Sequence, residues 1–518
     1  MAIRPLPDRR REPNLGRVIA GHIADEGKPS GNWTGVIALP LEMHDIQGDL
    51  LTGMQKNAEL FLFFRITDTR RFKDIAKRRL IARVTTTRTV NERERRVAQR
   101  TAYGGASHEE WIGVNLGFTR DGLTQLLGEN RPRMESAFER GADAAQTVAA
   151  LHDPDPAAWI AKFRSNRIDG VFLIAGTDEL SVTFLGNTVR GQLSGSIKVV
   201  YSEIGTVRPG QNRGREHFGF MDGISQPGIR GLTPPSRPGA APDQGLPGQD
   251  LVWPGEFVLG YPGQNPQDPD KPGPIAPLPA PWARNGSYMV FRRLEQRVPE
   301  FRSFVAAQAA RLGIYPELLA ARMVGRWRSG APLELAALHD NPSLAADDMR
   351  NNDFDYADDP FQRACPYAAH IRKANPRDDP FGGKAETLRH RIIRAGIPFG
   401  PEVMPGETRT MHSRGLMFVC YQASIERQFE FIQSRYSNNP QFVGDKRRPD
   451  EGIPVAPGFD PIVGQAQGGG ARAMDEPAPN YPIGNRRSKL EMPEPFVVLT
   501  AAGYFFTPSI TALRTVLT

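Results

Sequence analysis

Residues 58–66 read AELFLFFRI and are followed by Thr67-Asp68 and then by TRRFKDIAKRRL over 69–80. Apolar side chains crowd the first run so densely that neither face of a strand could be given to water, which predicts a buried strand. Thr67 or Asp68 can accept a hydrogen bond from the free N–H groups of a helix start, so an amphipathic helix is expected to run to about residue 80. Working outward, strands are expected at 81–86 (IARVTT), 111–118 (WIGVNLGF) and 170–176 (GVFLIAG), with helical segments to about residue 150. That succession is a β-α-β-β-α-β unit of ferredoxin-like type.

The pattern returns later in the chain. Residues 287–294 (SYMVFRRL) precede a helix expected from about Val298, and 415–424 (GLMFVCYQAS) followed by 425–436 matches 111–127 in pattern. Strands at 496–500 and 503–506 and a helix at 510–516 finish the second copy. The fold class expected is α+β, two ferredoxin-like halves packed together. Between 231 and 285 Pro and Gly dominate and apolar periodicity vanishes, which marks an insertion or linker. The expected division is an extended arm over 1–40, a first half over 41–230, the insertion over 231–285 and a second half over 286–518.

With 518 residues the chain can enclose a bulky cofactor, and 52 Gly with 46 Pro predict long irregular connections. The net charge of +7 comes from 65 Lys and Arg scattered among 58 Asp and Glu, not gathered in a stripe, which argues against a nucleic-acid partner. The densest run, RTVNERERRVAQR over 88–100, mixes both signs and reads as a solvated face. Cys365 and Cys420 are the only cysteines; they exclude a disulfide scaffold and a four-cysteine metal site and permit one bridge, but two free thiols are expected. No apolar stretch approaches the roughly 20 residues of a bilayer span, so no membrane partner is expected. Arg9-Arg10-Arg11 is followed by Glu12-Pro13-Asn14 where an export signal needs an apolar region, so none is read and a cytoplasmic location is the default.

Three segments carry chemistry. GFMDGISQP over 219–227 sets Asp222 between glycines, where backbone can approach a flat ligand. CPYAAHIR over 365–372 surrounds His370 with small and apolar neighbours, and RAGIPFG over 394–400 opens on Arg394. Each has a plain structural reading as well. An Asp in a Gly-rich turn bonds its own backbone, a lone His is satisfied by a core carbonyl, and Arg394 shares its neighbourhood with Arg389 and Arg391. His217 and His390 are the other histidines close to these segments. No Ser-His-Asp order, Walker loop or zinc spacing stands out.

Together the three segments resemble those of the dye-decolourising peroxidases, a family of haem enzymes. The likeness extends to DIQG at 45–48, DGVFLI at 169–174 and YFFTPS at 504–509. It implies the duplicated, dimeric α+β barrel type of fold in one of the family's larger branches, with one haem b per chain held mainly by the C-terminal half. His370 would be the axial ligand of the iron. Asp222 would be the acid that shuttles a proton within hydrogen peroxide, and Arg394 the fixed positive charge beside it. Gly219, Phe220, Gly223, Ile224 and Ser225 would lie against the cofactor, and Leu416 and Phe418 would line the same pocket. An iron-bound imidazole needs a carboxylate on its other nitrogen; Asp460, in GFDPI, is the candidate. The activity implied is reduction of peroxide coupled to one-electron oxidation of small phenolic or dye-type aromatic donors, by a monomer or homodimer. A non-enzymatic haem carrier would use the same axial histidine and apolar cleft without needing the acid and the guanidinium, and a haem-independent α+β interaction protein would bind partners through its Gly/Pro loops. Trp327 and Tyr421 are conceivable electron relays and are assigned no role.

Overall fold

The computed structural model describes residues 40–102, 109–234, 245–378, 383–443, 456–477 and 487–518. The arm expected over 1–40 falls outside them except for its last residue. Strand β1 (Ala58–Ile66) is buried everywhere but at Arg65, because it is flanked on both sides. Antiparallel to it run β3 (Gly170–Gly176) and β4 (Ile197–Thr206), and β2 (Ile112–Phe118) pairs with the outer edge of β3. Helix α1 (Thr69–Ile75) follows β1 and α2 (Glu179–Gln192) follows β3. Asp68 caps α1, its carboxylate accepting the N–H of Arg71 at 2.9 Å. The resulting order, β2-β3-β1-β4, is that of a ferredoxin-like unit.

Two sequence expectations change here. Residues 81–86 are not a strand: Ile81–Arg83 form a 3-10 turn, closed by the Val84 N–H donating to Ile81 O at 3.1 Å. Only Thr85 and Thr86 behave like strand residues: Thr85 donates to Val114 O and accepts from the Gly48 N–H, both at 2.9 Å, and Thr86 bridges antiparallel to Gln47. The fourth strand of the unit is instead β4, whose sequence IKVVYSEIGT shows no clean alternation because most of its residues are only half-buried.

The second half repeats the plan with β5 (Ser287–Gln296) at its centre, paired antiparallel with β8 (Gly415–Gln422) and β9 (Val497–Thr507). Two short strands, β6 (Ile393–Arg394) and β7 (Ile397–Phe399), share the outer edge of β8. Helix α3 (Val298–Leu312) follows β5, and the wide helical turns Ile425–Glu430 and Ile432–Ser437 follow β8. Since β8 lies next to the central strand, its counterpart in the first half is β3, not the 111–118 strand with which its pattern was matched. The two strands expected near the C-terminus are one, with a bulge between Leu499 and Ala501.

A pairing of Phe506 in β9 with Phe118 in β2 joins the halves into one sheet of nine strands. The sheet curls until β4 meets β7. A Cβ on Gly205 would lie 2.4 Å from Ile397 Cγ2, so the missing side chain is what lets these edges approach. Aromatic rings fill the interior: Phe63 lies 4.9 Å from Phe291, and Phe61 and Phe505 pack in the same cluster. Rings of this size each contribute about 1.5–3 kcal/mol on burial. The described part of the Pro/Gly-rich 231–285 stretch is packed too, since Val252, Phe257, Val258 and Tyr261 join that inner cluster.

Candidate active site

His370 is the first residue of helix α4 (His370–Ala374), reached through the buried Ala368 and Ala369. Its Nδ1 lies 2.8 Å from Asp460 Oδ2. Asp460 is itself fully buried, and its other oxygen accepts the N–H groups of Ile462 and Val463 at 2.8 and 3.0 Å. Burial works to raise the Asp460 carboxyl, but the His370 charge and these hydrogen bonds outweigh it and hold the group below its ordinary range. The imidazole answers in kind: burial opposes its charged form, and Asp460 still draws its pKa upward. With a carboxylate on Nδ1, the ring carries its proton there and turns Nε2 outward as a lone-pair donor.

Asp222 stands in the loop between Gly219, at φ +101°, and Gly223, at φ +84°, a backbone path that a side chain at either glycine would strain. Its Oδ1 accepts from Arg394 Nη1 at 2.8 Å and from the Gly223 N–H at 2.6 Å. Oδ2 makes no hydrogen bond among the described residues. Burial tends to raise this carboxyl as well, but the Arg394 guanidinium prevails and keeps it below its ordinary range. An ionised acid with one oxygen engaged and one available is equipped to accept a proton.

These groups open onto one cavity with about 2050 Å³ of space free of protein atoms, its mouth included. His370, Asp222 and Arg394 all line it. So do Phe220, Gly223, Ile224 and Ser225 of the loop, and Leu416 and Phe418 of β8. On that strand Met417 and Val419 point the other way into the barrel core, so the alternation read from sequence is realised. Gly219 does not reach the wall; it turns the loop one step behind it.

Both alternative histidines have other work. His217 is buried against Phe399 O at 2.8 Å, and desolvation, with Arg208 adding to it, pushes its pKa down to about 4. His390 lines the cavity but lies flat on Phe431 at 3.7 Å, with Nε2 3.0 Å from Glu386. Trp327 and Tyr421 are both buried, the latter donating its hydroxyl to Asp49 at 2.9 Å.

What the sequence did not disclose is a cluster of guanidiniums in the same wall. Arg326, Arg377 and Arg391 are each less than a tenth exposed. Arg326 and Arg377 both donate to Asn352 Oδ1, at 2.9 and 2.7 Å, and Arg391 donates to Ser225 O at 3.0 Å. Among the described residues their ion-pair partner is Asp250, 3.7 Å from Arg391, and the Asp355 carboxylate also feels the Arg377 charge. Burial, with Arg377 adding to it, pushes Arg326 down to about 9, and burial pushes Arg391 to about 10. Three buried cations with so little countercharge are suited to receive an anionic ligand.

A carboxylate-backed imidazole on one cavity with an acid and a guanidinium is the equipment of a peroxidase, where a metal-bound ligand must be polarised and a proton moved. Comparison with known proteins carries this to a family. Residues 45–209 match the DyP dimeric alpha+beta barrel domain and residues 263–446 match the Dyp-type peroxidase C-terminal domain. The dye-decolorizing peroxidase msp1 of Mycetinis scorodonius is 38% identical over 92% of this chain and 88% of its own. The structure of an ancestral D-type dye decolorizing peroxidase is 39% identical, with a TM-score of 0.78 over 92% of this chain and 99% of that one. A dye-decolorizing peroxidase solved with 2,6-dimethoxyphenol is 35% identical, with a TM-score of 0.75 over the same shares. The chain belongs to the dye-decolourising peroxidase family and is a peroxidase of the haem-dependent class, not a passive haem carrier.

Proposed function

We propose that the cavity holds one haem b, which His370 would hold through Nε2 and beside which Asp222 and Arg394 would act, and that peroxide is reduced there at the expense of small aromatic donors. The single observation that carries this reading is the opening of a carboxylate-bound imidazole and an Asp–Arg pair onto the same large cavity. The group fits the residues present. His370 Nε2 has no hydrogen-bond partner among the described residues, and Arg326, Arg377 and Arg391 offer the charge that two propionates require.

When bound, haem supplies the redox chemistry of peroxide cleavage and of electron withdrawal from donors. The protein supplies position, charge and proton movement. Asp460 fixes the His370 tautomer and makes the ring a stronger base. Asp222 Oδ2, the oxygen not engaged by Arg394 or Gly223, takes the proton from the inner oxygen of hydrogen peroxide and returns it to the outer one, which leaves as water. Arg394 offsets the negative charge gathering on that departing oxygen and, being charged at any working pH, does so without titrating. Leu416 and Phe418 keep the space apolar, which strengthens both effects. Donors of phenolic or dye type, each losing one electron, are supported by the relative solved with 2,6-dimethoxyphenol.

The chain is read as an arm over 1–40, halves over 41–230 and 286–518, and an insertion between them. The test is an absorption spectrum before and after one equivalent of peroxide. Wild type should show a Soret band that shifts on oxidation, and His370→Ala should fail to form that band normally. A wild-type spectrum in His370→Ala would overturn the assignment.

A further inference from the structure

The acid and the guanidinium of this site sit on segments with little regular structure to hold them in register. Asp222 is in a loop, and Arg394 ends a strand of two residues. Within β6, Arg394 lies opposite Cys420 of β8, while the next ladder bond is made by Ala395, whose N–H donates to Val419 O at 2.9 Å. Bonds in an antiparallel pair alternate along the strand. The N–H and C=O of Arg394 therefore point away from β8, toward the outer edge of the sheet, where among the described residues no strand follows β6.

Gln226 occupies that edge. Its Nε2 donates to Arg394 O at 2.5 Å, and its Oε1 accepts from the Arg394 N–H at 3.3 Å. One carboxamide thus stands in for the peptide unit of a missing strand. Arg391 Nη2, donating to Ser225 O at 3.0 Å, ties the same two segments together, and Gln249 Nε2 reaches Gln226 O at 3.3 Å from the other side. The fold uses this device elsewhere: Gln47 receives the Leu116 N–H at 2.8 Å and donates to Leu116 O at 3.0 Å, on the edge of β2 and outside the cavity wall. At Gln226 the residue gripped is Arg394 itself, and the residue four places earlier is Asp222.

We propose that Gln226 is a positioning residue for the peroxide step, setting the separation between the Asp222 carboxylate and the Arg394 guanidinium through the Arg394 backbone. The inference rests on the roles given above to those two residues. A carboxamide is needed because it carries a donor and an acceptor on one planar group. Leucine would leave the Arg394 N–H and C=O unpartnered, and an ionised glutamate would present an acceptor to a carbonyl oxygen.

The experiment compares haem-loaded wild type, Gln226→Leu, Arg394→Leu and the double variant. Two quantities are read: the bimolecular rate with hydrogen peroxide, and the equilibrium affinity of the ferric protein for azide, an anion that must settle beside the same guanidinium. Misplacement by about 1 Å costs on the order of 100-fold in rate, so Gln226→Leu should slow the peroxide step by about 10- to 100-fold and weaken azide binding. In the Arg394→Leu background it should change neither quantity further, because its effect passes through Arg394. If Gln226→Leu does not take up haem, Gln226→Glu carries the same test, keeping the size of the side chain and losing its donor. A wild-type rate in the single variant, or a full additional loss in the double variant, would overturn the inference. A wild-type rate in Arg394→Leu would bring down the underlying reading and this inference with it, whereas a slow Arg394→Leu beside an unimpaired Gln226→Leu removes the inference alone.

Discussion

Asp222 divides its labour between two oxygens, and this division can be measured. Replacing it with Asn keeps the hydrogen bond from Arg394 and removes the proton acceptor, so the rate with peroxide should fall by about 10²- to 10⁴-fold while the Soret band of the resting protein persists. The pH dependence has a defined sign. In the proposed role Asp222 must be ionised, and its pKa lies below the ordinary 3.8 chiefly because the pull of Arg394 overcomes burial. The peroxide rate should therefore hold at its plateau above that value and decline only as pH falls further, and in Arg394→Leu the acid limb should move to higher pH. A stopped-flow pH series on both proteins checks this. That His370, Asp222 and Arg394 would come together on one cavity could be anticipated from the sequence because each sits in a short segment of distinctive residues. Asp460 was legible only through chemistry, as the carboxylate an iron-bound imidazole needs. Arg326, Arg377 and Arg391 were not legible, because an arginine inside a cavity wall reads like one on the surface until the chain around it has folded.

Between β7 and β8 the chain makes a loop organised on one buried ion pair. Arg414 grips both oxygens of Glu407 at 2.8 and 2.9 Å, and the N–H groups of Met404 and Met411 donate to the same carboxylate at 3.0 Å each. The Arg414 guanidinium and these N–H groups hold the Glu407 carboxyl down at about 2, against an ordinary 4.5. A depressed carboxylate stabilises the fold above its unfolded pKa and loses that contribution as pH falls through its folded pKa. Acid should therefore loosen this loop between pH 4.5 and about 2, and Glu407→Gln should flatten the fall of thermal stability across that window. Element by element, β1, β2, β3, β5 and β8 could be read from sequence because burial on both faces leaves a dense apolar run. Strand β4 could not, since most of it is only half-buried and Lys198, Ser202 and Glu203 interrupt the run. The 81–86 segment misled for the opposite reason: its Ile and Val are buried, but in a turn.

For the molecule as a whole, closure of the barrel rests on the contact between β4 and β7. Gly205→Val would press a branched side chain into Ile397 and the carbonyl of Pro398, already 2.4 and 2.9 Å from an added Cβ. Overpacking of this kind costs about 1–3 kcal/mol, and it should appear as a lower unfolding midpoint in denaturant. The duplication itself was readable from the sequence, but the register between copies was not, because β3 and β2 carry similar patterns and only pairing shows which one adjoins the centre. The cavity wall draws on residues as early as Glu216 and as late as Val497 and Leu499 on the final strand. The pocket cannot close before β9 has paired with β5, so on the proposed reading haem capture waits for that strand, and occupancy will be decided by what the folding polypeptide meets once β9 is in place.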